Sequence, residues 1–281
     1  MRNLTKTNSR ISGSRHSAAG FTIVELLIAV LLAGLVTSAS MALYMTQHKQ
    51  MLVQEEVSDM QANVRAATME LADKIRMAGY NVPDGMPAIV AGNTNPDSIT
   101  LVYDSDVVTN CRIESPMALP SADLRCDGHD LSALHDNDWL YIYDPTARTG
   151  EFFLATQIQY APPLIRHSSM AFSRAYPTGS KIMKLSTYKF YINRADTTHP
   201  ALMIKLDNLA PQVYADNITN LNFRYVLSTG ETVDVPMVSY MIREVRINVV
   251  ARNDKADREF QTPYRTRTLT TRVKVRNLGV N

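Results

Sequence analysis

The feature that most limits what this chain can form is a run of 22 uncharged residues, 26–47. A helix over these residues is long enough to cross a hydrocarbon core of ~30 Å. The acid Glu25 lies directly before the run. A carboxylate within a membrane is costly unless another group pairs with it. The sequence therefore predicts a membrane-spanning helix near the N-terminus, with an acid at its entrance that needs a partner.

Residues 1–20 form a polar, basic leader that contains Arg2, Lys6, Arg10 and Arg15 and no acid. Because cationic segments before an apolar helix stay in the cytoplasm, the N-terminus is expected inside and the rest of the chain is expected to be exported. Removing these four cations takes the formal charge from +2 to −2. The positive charge therefore belongs to the leader, and it does not predict a nucleic-acid partner.

Two kinds of processing fit a leader that is followed by an apolar run. An ordinary secretory signal is cut after its apolar region, and Ser40-Met41-Ala42 is an acceptable small-residue site for that cut. The alternative is a cut before the apolar region, which keeps the apolar helix in the mature protein. An ordinary signal does not normally open its apolar region with an acid such as Glu25, and this favours the second alternative.

Residues 20–25, which read GFTIVE, resemble the type IV prepilin signal. The resemblance implies that prepilin peptidase cuts between Gly20 and Phe21, that the new α-amine of Phe21 is N-methylated, and that Glu25 becomes the fifth residue of the mature chain. A buried amine and a buried carboxylate are each costly alone and tolerable as a pair. The resemblance also implies that the pair can form between neighbouring subunits, so that Glu25 helps to recruit and align a subunit leaving the bilayer.

A single helix is predicted over about residues 21–78, of which about 21–47 form the transmembrane half. No Pro occurs between Phe21 and Pro83, and Gly79 is a helix-stop signal. At 1.5 Å per residue the helix would be roughly 87 Å long. Its second half is predicted to pack on a domain, because apolar residues recur every three or four positions: Val53, Val57, Met60, Val64, Ala67, Leu71, Ile75 and Ala78.

Strand patterns separated by turn signals follow from residue 80 onward. Strands without intervening helices favour antiparallel sheet. We expect an α+β, pilin-like fold with a prepilin leader at 1–20, the long N-terminal helix at 21–78 and an exported β-rich globular domain at 79–281. Eight strands are predicted: Ser98–Tyr103, Trp139–Tyr143, Phe152–Tyr160, Ile182–Asn193, Ala201–Leu206, Ile218–Val226, Glu244–Ala251 and Thr268–Val275.

Three later stretches resemble the PilW-like minor pilins, whose relatives are the J-type minor pseudopilins of type II secretion. They are the helix end at 65–80, the segment 216–225 and the tail at 270–278. The resemblance implies a structural subunit that helps a complex of minor pilins to initiate assembly of a type IV pilus, near its tip. A J-type minor pseudopilin is the alternative. A secreted binding module is a third interpretation, and it would require the ordinary signal.

The same resemblance implies the partners: other minor and major pilins, prepilin peptidase, the inner-membrane pilus assembly machinery and a tip adhesin. The chain is expected to cross the inner membrane once, with its N-terminus cytoplasmic before processing, and then to reach the periplasm or a cell-surface pilus.

No cofactor is expected. The sequence has no phosphate-binding loop, dinucleotide fingerprint, nucleophile elbow or paired-cysteine zinc motif, which argues against an enzyme.

Cys111 and Cys126 lie on the exported side of the helix, where the compartment is oxidising. Two cysteines within one loop region predict a disulfide, which would stabilise the domain by ~3 kcal/mol in the chain-entropy model. Two free thiols or a metal site are the alternative.

Between residues 123 and 138 the chain is rich in Asp and His. Their spacing matches no standard zinc or calcium loop, so a solvated acidic loop is predicted and no metal site.

Near the C-terminus, Arg272, Lys274 and Arg276 alternate with Val273 and Val275. Such alternation is typical of a half-buried strand whose polar side faces water. The alternative is a basic stripe that contacts a neighbouring subunit or DNA. The slightly negative charge of the mature chain favours the first interpretation.

Overall fold

The computed structural model describes residues 20–105, 108, 110–168, 171–256 and 262–278. Within these ranges the chain forms one long α-helix, a short 3-10 helix at Ser239–Met241 and strands arranged in three antiparallel sheets. The predicted α+β class, a long N-terminal helix combined with antiparallel sheet, is therefore confirmed. Leader residues 1–19 lie outside the described residues.

Helix α1 runs from Ile23 to Met77, 55 residues, and its bounds lie within two residues of the predicted ones. Gly79 ends it as predicted, because its φ of 83° is a left-handed conformation that glycine adopts without strain. Its N–H donates to the carbonyl of Val102 at 2.9 Å. A side chain at this position would also lie 2.6 Å from Leu278 Cδ2, so the turn has no room for one.

The chain separates into two compact units, residues 1–54 and 55–281. The first contains the apolar part of α1, where an 18-residue window has a mean hydropathy of 2.3 and no buried residue. Among the described residues α1 is the one helix long and apolar enough to cross a membrane. The helix continues unbroken through Gly34 and Ala42.

The second unit contains the later part of α1 and all of the described strands. Five of them, β1, β2, β8, β9 and β10, form the first sheet in the order β1-β2-β8-β9-β10. Their bounds are Ile89–Gly92, Ser98–Asp104, Leu185–Asn193, Ala201–Leu206 and Gln212–Asp216. The second sheet has the order β12-β11-β13-β14. Its strands are β11 (Ile218–Leu227), β12 (Thr232–Val233), β13 (Ile242–Arg252) and β14 (Thr266–Lys274).

These two sheets and the second half of α1 share one hydrophobic core. The helix contributes the predicted stripe, with Val57 partly buried and the residues from Met60 onward buried. Facing residues of the sheets include Ile99, Leu101, Phe190, Leu202, Phe223, Tyr225, Val245, Ile247, Val249 and Val273. The stripe therefore has the core-packing role that its spacing predicted.

Asp97, the residue directly before β2, connects the first sheet to the second. Its N–H donates to the carbonyl of Leu221 at 2.8 Å. Its carboxylate accepts the N–H of Phe223 at 2.9 Å and the amide of Asn222 at 3.0 Å. Strand β12 pairs only with the end of β11, so Asp97 satisfies backbone groups that β11 would otherwise leave unpaired.

The third sheet is built from the chain between β2 and β8, residues 105–184, here called the inserted lobe. Its strand order is β3-β6-β5-β4-β7. The two ends of the lobe meet, because Asp104 pairs with Leu185 and the N–H of Ser105 donates to the carbonyl of Lys184 at 3.2 Å. The strands are β3 (Leu124–Arg125), β4 (Trp139–Asp144), β5 (Thr149–Tyr160), β6 (Pro163–His167) and β7 (Lys181–Met183).

The inserted lobe has a hydrophobic core of its own, separate from the core under α1. The predicted strand Ile182–Asn193 is divided at Lys184 for this reason: β7 pairs with β4 of the lobe, and β8 pairs with β2 of the first sheet. The strands that were predicted to form a sheet packed against one helix thus belong to three different sheets.

Candidate processing and assembly site at the start of the helix

The peptide bond between Gly20 and Phe21 precedes α1 and lies outside any helix or strand. Both residues are exposed, and Phe21 is 89% exposed. A Cβ built on Gly20 would meet no atom within 4 Å. The fold of the chain therefore does not itself require glycine here, and a requirement for glycine would have to come from an enzyme that binds this segment.

Thr22 and Glu25 form a reciprocal capping box at the first turn of α1. The Glu25 carboxylate oxygen Oε2 accepts the backbone N–H and the hydroxyl of Thr22, both at 3.0 Å. The N–H of Glu25 donates to Thr22 Oγ1 at 3.2 Å. The N–H of Leu26 donates to the carbonyl of Thr22 at 3.1 Å, which is the first helical hydrogen bond. Such a box satisfies N–H groups that a helix start otherwise leaves unpaired.

The capping box gives Glu25 a role that the sequence interpretation missed. The signal was present as Thr22 followed three residues later by Glu25, directly before an apolar run. Both bonds from Thr22 end on Oε2, and Oε1 accepts no hydrogen bond from any residue of the described part of the chain. A carboxylate has about four acceptor positions. Glu25 can therefore hold the helix start and still accept a hydrogen bond from an amine.

Cys111 and Cys126, the predicted disulfide pair, lie together in the core of the inserted lobe. Both are buried and both are thiols in the structure. A hydrogen bond with the Cys111 side chain, together with burial, raises the pKa of the Cys126 thiol. The two side chains are thus neighbours, although 14 residues separate them in sequence. The disulfide itself stays a prediction.

The carboxylates between residues 123 and 138 bond mainly to groups of the protein. Asp136 accepts the N–H of Ile158 at 2.7 Å, and Asp138 accepts the ammonium of Lys184 at 2.8 Å. Asp130 accepts the N–H of Ser132 at 2.8 Å. In the described residues no three His, Cys, Asp or Glu side chains are grouped so that they could hold a metal ion.

His129 is held by Glu114, outside the acidic stretch. Its Nε2 lies 2.9 Å from Glu114 Oε1, and Arg112 Nε donates to the same oxygen at 2.8 Å. The hydrogen bonds from Arg112 and from His129 lower the pKa of Glu114.

A family model described as the prokaryotic N-terminal methylation motif matches residues 15–41. No curated protein and no solved structure matches the chain. The matched residues include the Gly20–Phe21 bond, the capping box and the first part of the apolar run. The stretches at 65–80, 216–225 and 270–278, which resemble PilW-like minor pilins, lie outside the match. The chain therefore carries a type IV pilin-like prepilin signal, followed directly by a helix that is long and apolar enough to anchor it in a membrane.

Proposed function

We propose that this chain is a minor pilin, a structural subunit that helps to initiate assembly of a type IV pilus near its tip. The observation that carries the proposal is the methylation motif at 15–41, which extends into α1. The first part of this helix can span a membrane, and its second part packs on β-sheets. A filament subunit of this kind needs both parts, one to remain in the bilayer and one to be exported.

Prepilin peptidase would cut the bond between Gly20 and Phe21, and Phe21 would then be N-methylated. The exposed, non-helical chain at this bond supports the proposal, because a protease needs an accessible, extended substrate segment. Before the cut the N-terminus would lie in the cytoplasm. After it, the second unit would lie in the periplasm or in the filament, and α1 would remain in the inner membrane until assembly.

Glu25 would act in assembly through its charge. In a filament the apolar helices bundle and exclude water, so the α-amine of Phe21 needs an anion close by. An unpaired buried charge costs roughly 3–5 kcal/mol. Oε1 of Glu25 is available for that amine, its own or a neighbour's, while Oε2 keeps the helix cap.

Cys111 and Cys126 would form a disulfide after export. Their contact within one buried core supports this proposal, because the thiols need to move little to join. The oxidising compartment that the prepilin signal implies would supply the electron acceptor. The bond would join the segment before β3 to the segment after it and stabilise the inserted lobe.

The partners of such a subunit would be other minor and major pilins, prepilin peptidase, the inner-membrane assembly machinery and a tip adhesin. The role is structural, and we propose no enzymatic activity. A J-type minor pseudopilin would do similar work in the short periplasmic filament of type II secretion.

A deletion strain tests the proposal and separates the two filaments. Surface pili are counted by electron microscopy, and secreted enzymes are measured in the culture medium, with and without the gene restored. Loss of pili with normal secretion supports the minor pilin. Normal pili with loss of secretion would support the pseudopilin, and an unchanged strain would contradict both.

A further inference from the structure

Trp139, the single tryptophan of the chain, lies at the start of β4 and is 44% exposed. Tryptophan is on average a highly buried residue in folded proteins. Among the residues that the structure describes, the indole ring has no ring contact and its N–H has no hydrogen-bond acceptor. Part of an aromatic ring and its one donor are therefore available to a ligand.

Phe152 and Leu154 of β5 extend the exposed surface beside Trp139. Trp139 pairs in register with Leu154, and Phe152 pairs with Tyr141, two residues further along β4. The residues between them in both strands are buried in the core of the inserted lobe. Because successive side chains of a strand point to opposite faces, these side chains share the face away from that core. Phe152 is 43% exposed, and its ring meets that of Tyr141 edge to face, with centroids 4.9 Å apart.

Two polar side chains, Gln157 of β5 and Arg166 of β6, lie at one end of the same face. They pair in register three residues beyond Leu154, after a bulge, and the residues next to them, Ile158 and Ile165, are buried in the core of the lobe. Arg166 Nη1 donates to Gln157 Oε1 at 3.0 Å. Both side chains are exposed, so their remaining donors can bind a ligand that lies on the aromatic rings.

We propose that this face of the inserted lobe binds an uncharged polysaccharide of β-linked pyranose rings. It is formed by Trp139, Phe152, Leu154, Gln157 and Arg166 and is here called the aromatic face. The two sides of such a sugar ring carry C–H groups, whose slightly positive hydrogens are attracted by the negative face of an aromatic ring. The hydroxyls lie around the edge of the sugar ring, where the amide and guanidinium donors could bind them. A mostly apolar surface with a few polar groups that fix orientation is typical of a small-molecule site.

The size of the aromatic face favours a sugar chain over a second protein. The exposed parts of Trp139 and Phe152 together amount to on the order of 200 Å². A stable protein interface buries about 800 Å² on each partner. The face is thus too small to hold a protein by itself, and a short run of sugar rings would cover it.

The charge around the aromatic face favours an uncharged ligand. Residues 123–138, which directly precede Trp139, contain five aspartates and one arginine. Arg166, the one cation of the face, already lies 3.5 Å from Asp123. A nucleic acid or an acidic polysaccharide would be repelled by these carboxylates. The site adds a binding activity to the chain and does not rest on the proposed function.

Fluorescence tests the proposal directly, because all tryptophan emission of the chain comes from Trp139. The full chain is purified in a detergent that has no sugar headgroup and is titrated with cellohexaose and with chitohexaose. We expect a saturable change in emission with at least one of them. Phe152→Ala and Gln157→Ala should each weaken the apparent affinity, the first about tenfold. Tyr240→Ala is the control, since it removes an exposed aromatic ring outside the inserted lobe and should bind as the wild type does.

Retention on insoluble cellulose and chitin tests Trp139 itself. Trp139→Ala should be retained about tenfold less than the wild type, and Trp139→Phe, which keeps a ring, should be intermediate. Thermal unfolding followed by circular dichroism identifies any variant that is not folded, and Gln157→Ala changes only an exposed side chain.

Three outcomes would overturn the proposal. The first is a wild-type chain that shows neither a change in emission nor retention. The second is an equal loss of retention for Tyr240→Ala, which would indicate adsorption through any exposed ring. The third is a wild-type chain that binds neither sugar but co-purifies with a protein that Trp139→Ala releases, which would assign the face to a protein partner.

Discussion

Glu25 and Thr22 bind each other reciprocally across the first turn of α1, and both bonds from Thr22 end on one carboxylate oxygen of Glu25. The acid at the entrance of the apolar helix therefore has two separable properties. Its shape and acceptor atoms cap the helix, and its charge is available to an amine. Substitutions that remove one property and keep the other distinguish capping from assembly.

Glu25→Gln tests the charge. Glutamine can take the place of glutamate in a capping box, so the helix start is kept while the anion is lost. We expect this variant to be exported and cleaved normally but to be recovered poorly in purified filaments or crosslinked minor-pilin complexes. Glu25→Val should behave likewise, and Glu25→Asp should be intermediate because the charge remains and the reach is shorter. Wild-type recovery of Glu25→Gln would contradict the pairing of Glu25 with the α-amine.

Thr22→Val tests the cap. It removes the hydroxyl that accepts from the N–H of Glu25 and keeps the carboxylate. Loss of a capping side chain typically costs about 1 kcal/mol, so the helix start should be destabilised by about that amount. Hydrogen exchange of the first-turn amides should accelerate. Filament recovery should stay close to that of the wild type. Recovery as low as that of Glu25→Gln would mean that assembly depends on the helix cap.

Gly20→Val tests the processing site. The peptidase must accept a small residue at this exposed, non-helical position, so a branched side chain should leave an unprocessed precursor in the inner membrane. Gly34→Val is a suitable control, since a Cβ at Gly34 also meets no atom within 4 Å and the residue lies inside the apolar helix. Normal processing of Gly20→Val, seen on an immunoblot, would count against the prepilin assignment.

Asp97→Ala tests the connection between the first and second sheets. The change removes an acceptor that serves the N–H of Phe223 and the amide of Asn222, and hydrogen bonds to charged groups are worth roughly 1.5–3 kcal/mol. We expect the free energy of unfolding to fall by about that amount, and to fall less for Asp97→Asn, which keeps an acceptor. Asp127→Ala, at an exposed acid, should change it by less than ~0.5 kcal/mol. Equal effects at the two positions would contradict the proposed connection.

Cys111→Ser and Cys126→Ser test the disulfide. Each is expected to lower the free energy of unfolding of the second unit, residues 55–281, by ~3 kcal/mol under oxidising conditions, and the double variant should lose little more than either single one. A reductant should remove most of the difference from the wild type. A mass spectrum of the mature protein with two free thiols would contradict the disulfide.

The elements that were predicted well from the sequence are those with a periodic pattern over many residues or with a strong stop signal. The stripe from Val53 to Ala78 and the glycine at 79 located α1 within two residues, and Ala201–Leu206 was predicted with both of its bounds. The core of the inserted lobe could not be predicted in this way. It includes Met117, Leu131, Leu134 and Phe172, which lie outside the strands and have no periodic spacing.

The missed strands are short or lie at sheet edges. β3 and β12 have two residues each, too few for alternation to be recognised, and β1 and β10 are edge strands with few buried positions. β6 begins with Pro163, a residue that argues against a strand. At the candidate site, Glu25 was recognised because a carboxylate is costly within a membrane. Thr22 was missed because it carries no charge, and its role depends on the unpaired N–H groups at the start of a helix.

The proposed function requires that the chain is cut before its apolar helix and keeps that helix. Mass spectrometry of the N-terminal peptide, taken from protein purified from the membranes of cells that contain prepilin peptidase, tests it most directly. We predict a mature chain that begins at Phe21 and carries one methyl group on its α-amine. A mature chain that begins near Met41, or one that retains residues 1–20, would contradict it.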